Sequence, residues 1–166
     1  MNDGNKTVLR QRRFEIKKAC AKDGAAIADC LEAAFARHRG QYSSEAYADT
    51  VLNADGVLQR LEEMCLFVAV SDGQVVGTIG CKVNGEEGHL RGMAVLPDWQ
   101  GSGVASALLS TAETELEKRG AAFITLDTTK PLARAIRFYQ RHGYSPSGRV
   151  ASFFGMPLYE YRKGLH

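Results

Sequence analysis

A chain of 166 residues that is 45% hydrophobic and 24% charged has the size and make-up of one ordinary globular domain with a sizeable core. A net charge of +2 is too small to mark nucleic acid as the main partner, and no apolar run reaches membrane-spanning length. The cysteines Cys20, Cys30, Cys65 and Cys81 lack C-x-x-C spacing and the histidines are scattered, which argues against a metal site and for reduced, mostly buried thiols in a cytoplasmic protein.

Residues 1–12 are polar, without a signal-peptide core, and read as a frayed tail on a single domain covering 1–166. Residues 14–18 alternate and predict a strand; Arg10, Arg12, Arg13, Lys17 and Lys18 around it read as a solvated face and strand edge. Asp23 is placed to cap a helix running to about residue 37, with Ile27, Leu31 and Phe35 recurring on one face. Residues 37–42 break that pattern. Ser43 or Ser44 opens another helical stretch through Tyr47, Val51 and Leu52, which residues 53–56 interrupt before Val57, Leu58 and Leu61 resume helical spacing towards Met64. Irregular connections of this kind are often where ligands are chosen.

Residues 65–70 form a continuous apolar run, a central strand. Asp72-Gly73 is a hairpin signal, 75–83 is the return strand, and Gly77 and Gly80 mark candidate bulges in it. Asn84-Gly85 is a second hairpin signal, followed by a strand at 89–96 that Pro97 ends. A helix at 104–119 carries Val104, Leu108, Ala112 and Leu116 on one stripe, with Gly120 at its end. Residues 123–126 predict a buried strand. Pro131 suits the first turn of a helix running over 132–142 and ended by Gly143. The tail, 144–162, reads as two strands hinged around Gly155-Met156-Pro157. The order β-αα-βββ-α-β-α-ββ implies an α/β fold with a mixed sheet and helices on both faces.

Gln100-Gly101-Ser102-Gly103-Val104-Ala105 joins a strand to a helix start. The first four N–H groups of a helix lack intrahelical acceptors and the dipole adds partial positive charge, so such a turn suits an anion, commonly a phosphate. It lacks the lysine of a Walker A loop. Gly101 to Ser106 comes within one residue of the dinucleotide fingerprint, with Asp127 near the position of a ribose-binding acid, but residues 97–100 separate the glycines from the strand.

Gln100-x-x-Gly103-x-Ala105 resembles the Q/R-x-x-G-x-G/A signature of the GNAT (GCN5-related N-acetyltransferase) family. Met93-Ala94-Val95-Leu96-Pro97 resembles the strand end that precedes that signature. Ala135 to Tyr144 resembles the family's second motif, A-x-x-(F/L)-Y-x-x-x-G-(F/Y). The likeness extends over about 14–162. It implies a GNAT-like acyl-CoA N-acyltransferase fold and acetyl-CoA as co-substrate, with no metal.

The cofactor-binding set that the resemblance implies is Met93, Ala94, Val95, Gln100, Gly101, Ser102, Gly103, Val104, Ala105 and Ser106, in a V-shaped opening between the strands at 93–95 and 123–126. It also implies Tyr139 as general acid. The family's strand glutamate, two residues before Met93, is Arg91 here, and its helix-start asparagine is Leu132. Glu87 is the candidate base, beside Glu86 and His89; a water chain ending at a backbone carbonyl is the alternative. Arg134, Arg137 and Arg141 read as a solvated face, with Lys130 or Arg134 able to meet a cofactor phosphate.

Arg37, Arg39 and Tyr42 are the candidate acceptor residues, since two arginines could grip a carboxylate. The expected acceptor is a small amine carrying an anion, with a possible homodimer and no nucleic-acid or membrane partner. The alternatives are a peptide or protein N-terminal or lysine acetyltransferase, and a non-catalytic acyl-CoA sensor.

Overall fold

The computed structural model describes residues 12–165. A single mixed sheet organises them, in the order β1 (Glu15–Lys18), β2 (Cys65–Ser71), β3 (Gln74–Asn84), β4 (Glu87–Val95), β5 (Phe123–Thr128), β7 (Met156–Gly164) and β6 (Ser145–Phe153). Neighbours are antiparallel except β4 and β5, which are parallel and joined by the helix α4 (Val104–Lys118). Such a crossover is what parallel neighbours require.

β2 is buried on both faces, and its alternation separates two cores. Cys65, Phe67 and Ala69 lie in the core under α4, with Val104, Leu108, Leu109, Ala112 and Leu116. Leu66 and Val68 lie in the opposite core, under the helices α1 (Gly24–Phe35) and α3 (Ala54–Glu63). The α4 stripe expected from periodicity is fully buried. It approaches the sheet so closely that a Cβ on Gly77 would lie 2.8 Å from Val104, and one on Gly88 2.9 Å from Leu116. Behind α4, Glu113 accepts from Lys163 at 2.7 Å and from the Tyr144 hydroxyl at 3.1 Å, which ties the helix to β7 and to the segment entering β6.

The 37–64 region holds more structure than its sequence suggested. A 3₁₀ turn (Ala36–Gln41) leads into the short helix α2 (Ser44–Thr50), which Ser43 caps through a bond from the Ala46 N–H. The interruption at 53–56 is the start of a third helix: Asn53 accepts from the Gly56 N–H at 2.8 Å, an N-cap for α3. Asp23 does not cap α1. Its carboxylate turns back to the Cys20 N–H at 2.9 Å, inside a preceding 3₁₀ turn. Cys20 is exposed, whereas Cys30, Cys65 and Cys81 are buried.

Both candidate bulge positions in β3 adjoin an irregularity: against β2, β3 itself carries an extra residue at Val76, beside Gly77, and opposite Gly80 the extra residue belongs to β4. Between the pairs Thr78↔Ala94 and Gly80↔Arg91 the register shifts, so that β4 carries the extra residue at Gly92, whose φ of +69° only glycine takes readily. Parallel pairing of β4 with β5 runs from Glu87↔Phe123 to Leu90↔Leu126 and stops there. Beyond it, residues 91–95 pair with β3 alone, and a wedge opens between β4 and β5. The helix α5 (Ala133–Arg141) follows β5; Pro131 and Leu132 precede it and no side chain caps it. Among the described residues, no helix is long and apolar enough to cross a membrane.

Candidate active site

The wedge opens into a cavity of about 1090 Å³. One end is the turn before α4. Gly101 and Gly103 have φ of +78° and +94°, and a Cβ on either would meet nothing within 4 Å, so the backbone there is bare towards the cavity. The first intrahelical bond of α4 runs from the Ala107 N–H to the Gly103 carbonyl, at 3.1 Å, leaving the N–H groups of residues 103–106 free for an external anion.

Gln100, Gly101, Gly103, Ala105 and Ser106 line this end. The Ser102 hydroxyl turns back to the Trp99 carbonyl, and the Val104 side chain is in the core. Met93, Ala94 and Val95 line the cavity where β4 has lost its β5 partner.

Arg37 is at this phosphate-type end. Its Nη2 donates to Gln100 Oε1 at 3.1 Å, and Arg134 Nη1 donates to the same oxygen at 3.0 Å. Two guanidinium groups thus converge on one neutral acceptor beside a helix start, an arrangement that an anion would relieve. Arg39, expected beside Arg37, instead stacks over the Tyr47 ring at 5.2 Å and does not line the cavity. Tyr42 does line it; its hydroxyl is 2.8 Å from Thr129 Oγ1, and burial raises its phenol despite that bond.

The other end lies where β4 and β5 part. Leu90 and Leu126 belong to the core under α4, so by strand alternation His89, Arg91, Thr125 and Asp127 face the side of α1 and α3. Thr125 Oγ1 donates to Glu87 Oε1 at 2.6 Å and lies 2.8 Å from His89 Nδ1. Its single proton is committed to Glu87, so Nδ1 must carry the hydrogen and donate to Thr125. The neutral ring therefore keeps its lone pair on Nε2, which lies 3.7 Å from Asp127 Oδ2. Burial lowers the imidazole pKa against the pull of Asp127 and Glu87, and burial raises the Asp127 carboxyl against the pull of His89.

His89 and Asp127 line the cavity; Glu87 does not, and reaches it only through Thr125 and His89. The sequence placed His89 beside the candidate base Glu87 without giving it that role; its place two residues before Arg91 on an alternating strand puts it on the same face as Arg91.

Tyr139 lies in the core under α4, with Leu90 and Leu126, and lines the cavity from that side. Burial raises its phenol, so the proton is held. The Thr128 hydroxyl, at the end of β5, is buried without a hydrogen-bond partner among the described residues, and Thr128 also lines the cavity.

A profile of the acetyltransferase (GNAT) family matches residues 26–144. An uncharacterized N-acetyltransferase of Methanocaldococcus jannaschii is 36% identical over 81 residues, 48% of this chain and 52% of that one. N-alpha-acetyltransferase 30 of Schizosaccharomyces pombe is 29% identical over 93 residues, 53% of this chain and 62% of that one. The chain thus spans about half to three-fifths of the length of the curated relatives it matches. PaiA N-acetyltransferase from Thermoplasma acidophilum, solved in complex with coenzyme A, superposes with a TM-score of 0.76 at 18% identity, over 92% of this chain and 99% of that one. The ribosomal-protein-S18-alanine N-acetyltransferase from Escherichia coli superposes with a TM-score of 0.75 at 21% identity, over 92% and 94%. At such identities the likeness speaks for the fold. With the family profile covering most of the sequence and the bulged, splayed β4 leading into a glycine turn, the chain belongs to the GNAT acetyltransferase family.

Proposed function

We propose that the protein is an N-acetyltransferase that moves the acetyl group of acetyl-CoA to a primary amine of a small molecule, by direct attack in a ternary complex. The observation that carries this reading is the single cavity that runs from the bare glycine turn, through the gap between β4 and β5, to the His89–Asp127 pair. Acetyl-CoA, when bound, supplies an acetyl thioester whose leaving thiolate has a pKa near that of cysteine, about 8.5.

The chain's own residues fit that co-substrate. The N–H groups of residues 103–106, with Arg37 and Arg134 above them, suit a diphosphate. Backbone groups at Met93 and Val95, unpaired towards β5, suit an amide-bearing arm running along the strand. On the acceptor side the larger obstacle is the amine's proton. An alkyl ammonium with a pKa of about 10.4 costs roughly 4–5 kcal/mol to deprotonate at pH 7, at ~1.36 kcal/mol per pKa unit.

His89 Nε2 takes that proton, and the Thr125–Glu87 pair holds the ring in the tautomer that leaves Nε2 free. Tyr139, from the opposite face of the sheet, gives its hydroxyl proton to the thiolate. The two proton-handling groups thus meet only through the gap, as a ternary complex requires.

A small acceptor is favoured over a peptide by a tie across the acceptor end. Ser43, the α2 cap, donates to the carbonyl of Phe154 at the tip of the β6–β7 hairpin, at 2.9 Å, and the adjacent Tyr42 and Phe153 both line the cavity. The test is release of thiol from acetyl-CoA with a panel of small amines and of peptides with free N-termini. Turnover with small amines above cofactor-only hydrolysis supports the reading. Turnover with peptides alone overturns the small-acceptor part, and binding of acetyl-CoA without turnover by any amine overturns the enzymatic one.

A further inference from the structure

Arg60 is a charged residue in a position its helix gives to the core. In α3, Val57 is buried and Arg60 follows it at i+3, on the inward face, only 8% exposed. A buried guanidinium is normally paired, because leaving a charge unpaired away from water is costly. The Arg60 guanidinium makes one hydrogen bond to the described residues, from Nη2 to the Asp49 carbonyl at 3.4 Å, the outer limit for such a contact. A guanidinium carries five N–H donors. Its Nη1 lies where a Cβ on Gly92 would be 3.1 Å away, so the glycine of the β4 bulge also makes room for it.

The Asp49 carboxylate is already taken by Arg91, whose Nη2 is 2.7 Å from Oδ2. Glu63, three residues on from Arg60, also lines the cavity and acts on the guanidinium only through space. Arg60, the more buried of the two arginines, thus has neither the Asp49 nor the Glu63 carboxylate as a hydrogen-bond partner. Burial and the neighbouring Arg91 bring the Arg60 guanidinium down to about 10, against the pull of Asp49 and Glu63, so it is charged at neutral pH.

Arg91 and His89 are two residues apart on one strand and share a face, about 7 Å along it. A group held by Arg60 and Arg91 is therefore close to the amine that His89 would deprotonate.

We infer that Arg60 and Arg91 form an anion subsite at the acceptor end of the cavity, and that the acceptor is a small amine bearing a carboxylate. This rests on the proposed acetyl transfer and narrows its substrate class. It moves the carboxylate site expected at Arg37 and Arg39 to two arginines from α3 and β4. The carboxylate accepts from the open donors of Arg60 and from Arg91, while the ammonium end turns towards Asp127 and His89, giving a zwitterion complementary charge at both ends.

The test compares acceptors that differ by a carboxylate: β-alanine against ethylamine, and 4-aminobutyrate against propylamine, with acetyl-CoA and the full chain. The carboxylate-bearing member should be preferred by at least about tenfold in kcat/KM, mainly through KM, the scale of one charge-assisted hydrogen bond. In Arg60→Met and in Arg91→Met that preference should fall towards one, and Arg60→Lys should restore part of it. Methionine suits the Arg60 site because an apolar side chain in place of a buried ion is commonly tolerated; thermal melts by circular dichroism check that each variant folds.

Independently of turnover, titrating butyrate into the CoA-bound protein should give a binding isotherm that Arg60→Met abolishes. Equal kcat/KM within each pair, or a preference that survives in both methionine variants, overturns the subsite and leaves the acetyl-transfer reading intact. Turnover of no amine, with butyrate still bound by wild type and not by Arg60→Met, keeps the subsite and overturns the transfer reading.

Discussion

His89 Nδ1 lies 2.8 Å from the Thr125 hydroxyl, and this contact decides which ring nitrogen is left to accept a proton. Thr125 spends its own hydrogen on Glu87, so the lone pair of the neutral ring sits on Nε2, beside Asp127. Glu87, the acid expected to act as base, does not line the cavity and touches the ring only through Thr125; in the proposed mechanism it orients the ring.

The first prediction concerns that ring. His89→Ala should lower kcat by about 10²-fold or more, the usual contribution of a positioned general base. Thr125→Val should cost less, because it loosens the tautomer without removing the ring. Burial lowers the imidazole pKa, so the neutral, active form persists to lower pH than for a free histidine at about 6.5. The acidic limb of the kcat/KM profile should therefore fall below 6.5 and should be absent in His89→Ala. A limb unchanged in that variant would remove His89 from the mechanism.

Tyr139→Phe should slow turnover by about 10²-fold while leaving CoA affinity nearly intact, because the ring still fills the core beneath α4 and only the proton donor is gone. Burial keeps that phenol protonated across the neutral range, so its role carries no pH limb there. Steady-state kinetics beside calorimetric titration of CoA separates the two effects. Unchanged turnover would leave Tyr139 a packing residue only.

Gly103→Val should weaken CoA binding by tenfold or more. Gly103 has φ of +94°, and its missing side chain leaves open the space an anion would use. A β-branched residue there both strains the backbone, by roughly 1–2 kcal/mol, and covers the N–H groups behind it. Calorimetry with CoA reads this directly, and equal affinity would show that phosphates bind elsewhere.

Arg37 and Arg39 should separate in their effects. Arg37 meets Gln100 and Arg134 at the turn, whereas Arg39 lies over Tyr47. Arg37→Ala should raise the KM for acetyl-CoA several-fold, an effect that shrinks with added salt, and should leave the acceptor KM unchanged. Arg39→Ala should alter neither by more than about twofold, as expected of an exposed cation–π pair of about 0.5 kcal/mol. A rise confined to the acceptor KM in Arg37→Ala would return that residue to the acceptor site.

Local periodicity made the frame legible. The stripe Val104, Leu108, Ala112 and Leu116, the continuous apolar run of β2 and the Asp72-Gly73 turn depend on neighbours a few residues away, and the structure keeps each of them. The glycine turn was readable for the same reason, since a helix start exposes its N–H groups whatever surrounds it. A local signal misled at Asp23, whose carboxylate turns back to the Cys20 N–H instead of capping α1, and at Gly80, where the register shift puts the extra residue in β4.

The chemistry was written at longer range. His89 meets Thr125 across 36 residues, Arg91 meets Asp49 across 42, and Arg37 meets Gln100 across 63. Strand order and register create those encounters: parallel β4 and β5 bring two polar alternations onto one face, and their early parting opens the space between them. Arg60 carried a trace of this in its inward position on α3, but a cation on an apolar stripe acquires meaning only when the groups facing it from α2 and β4 are known.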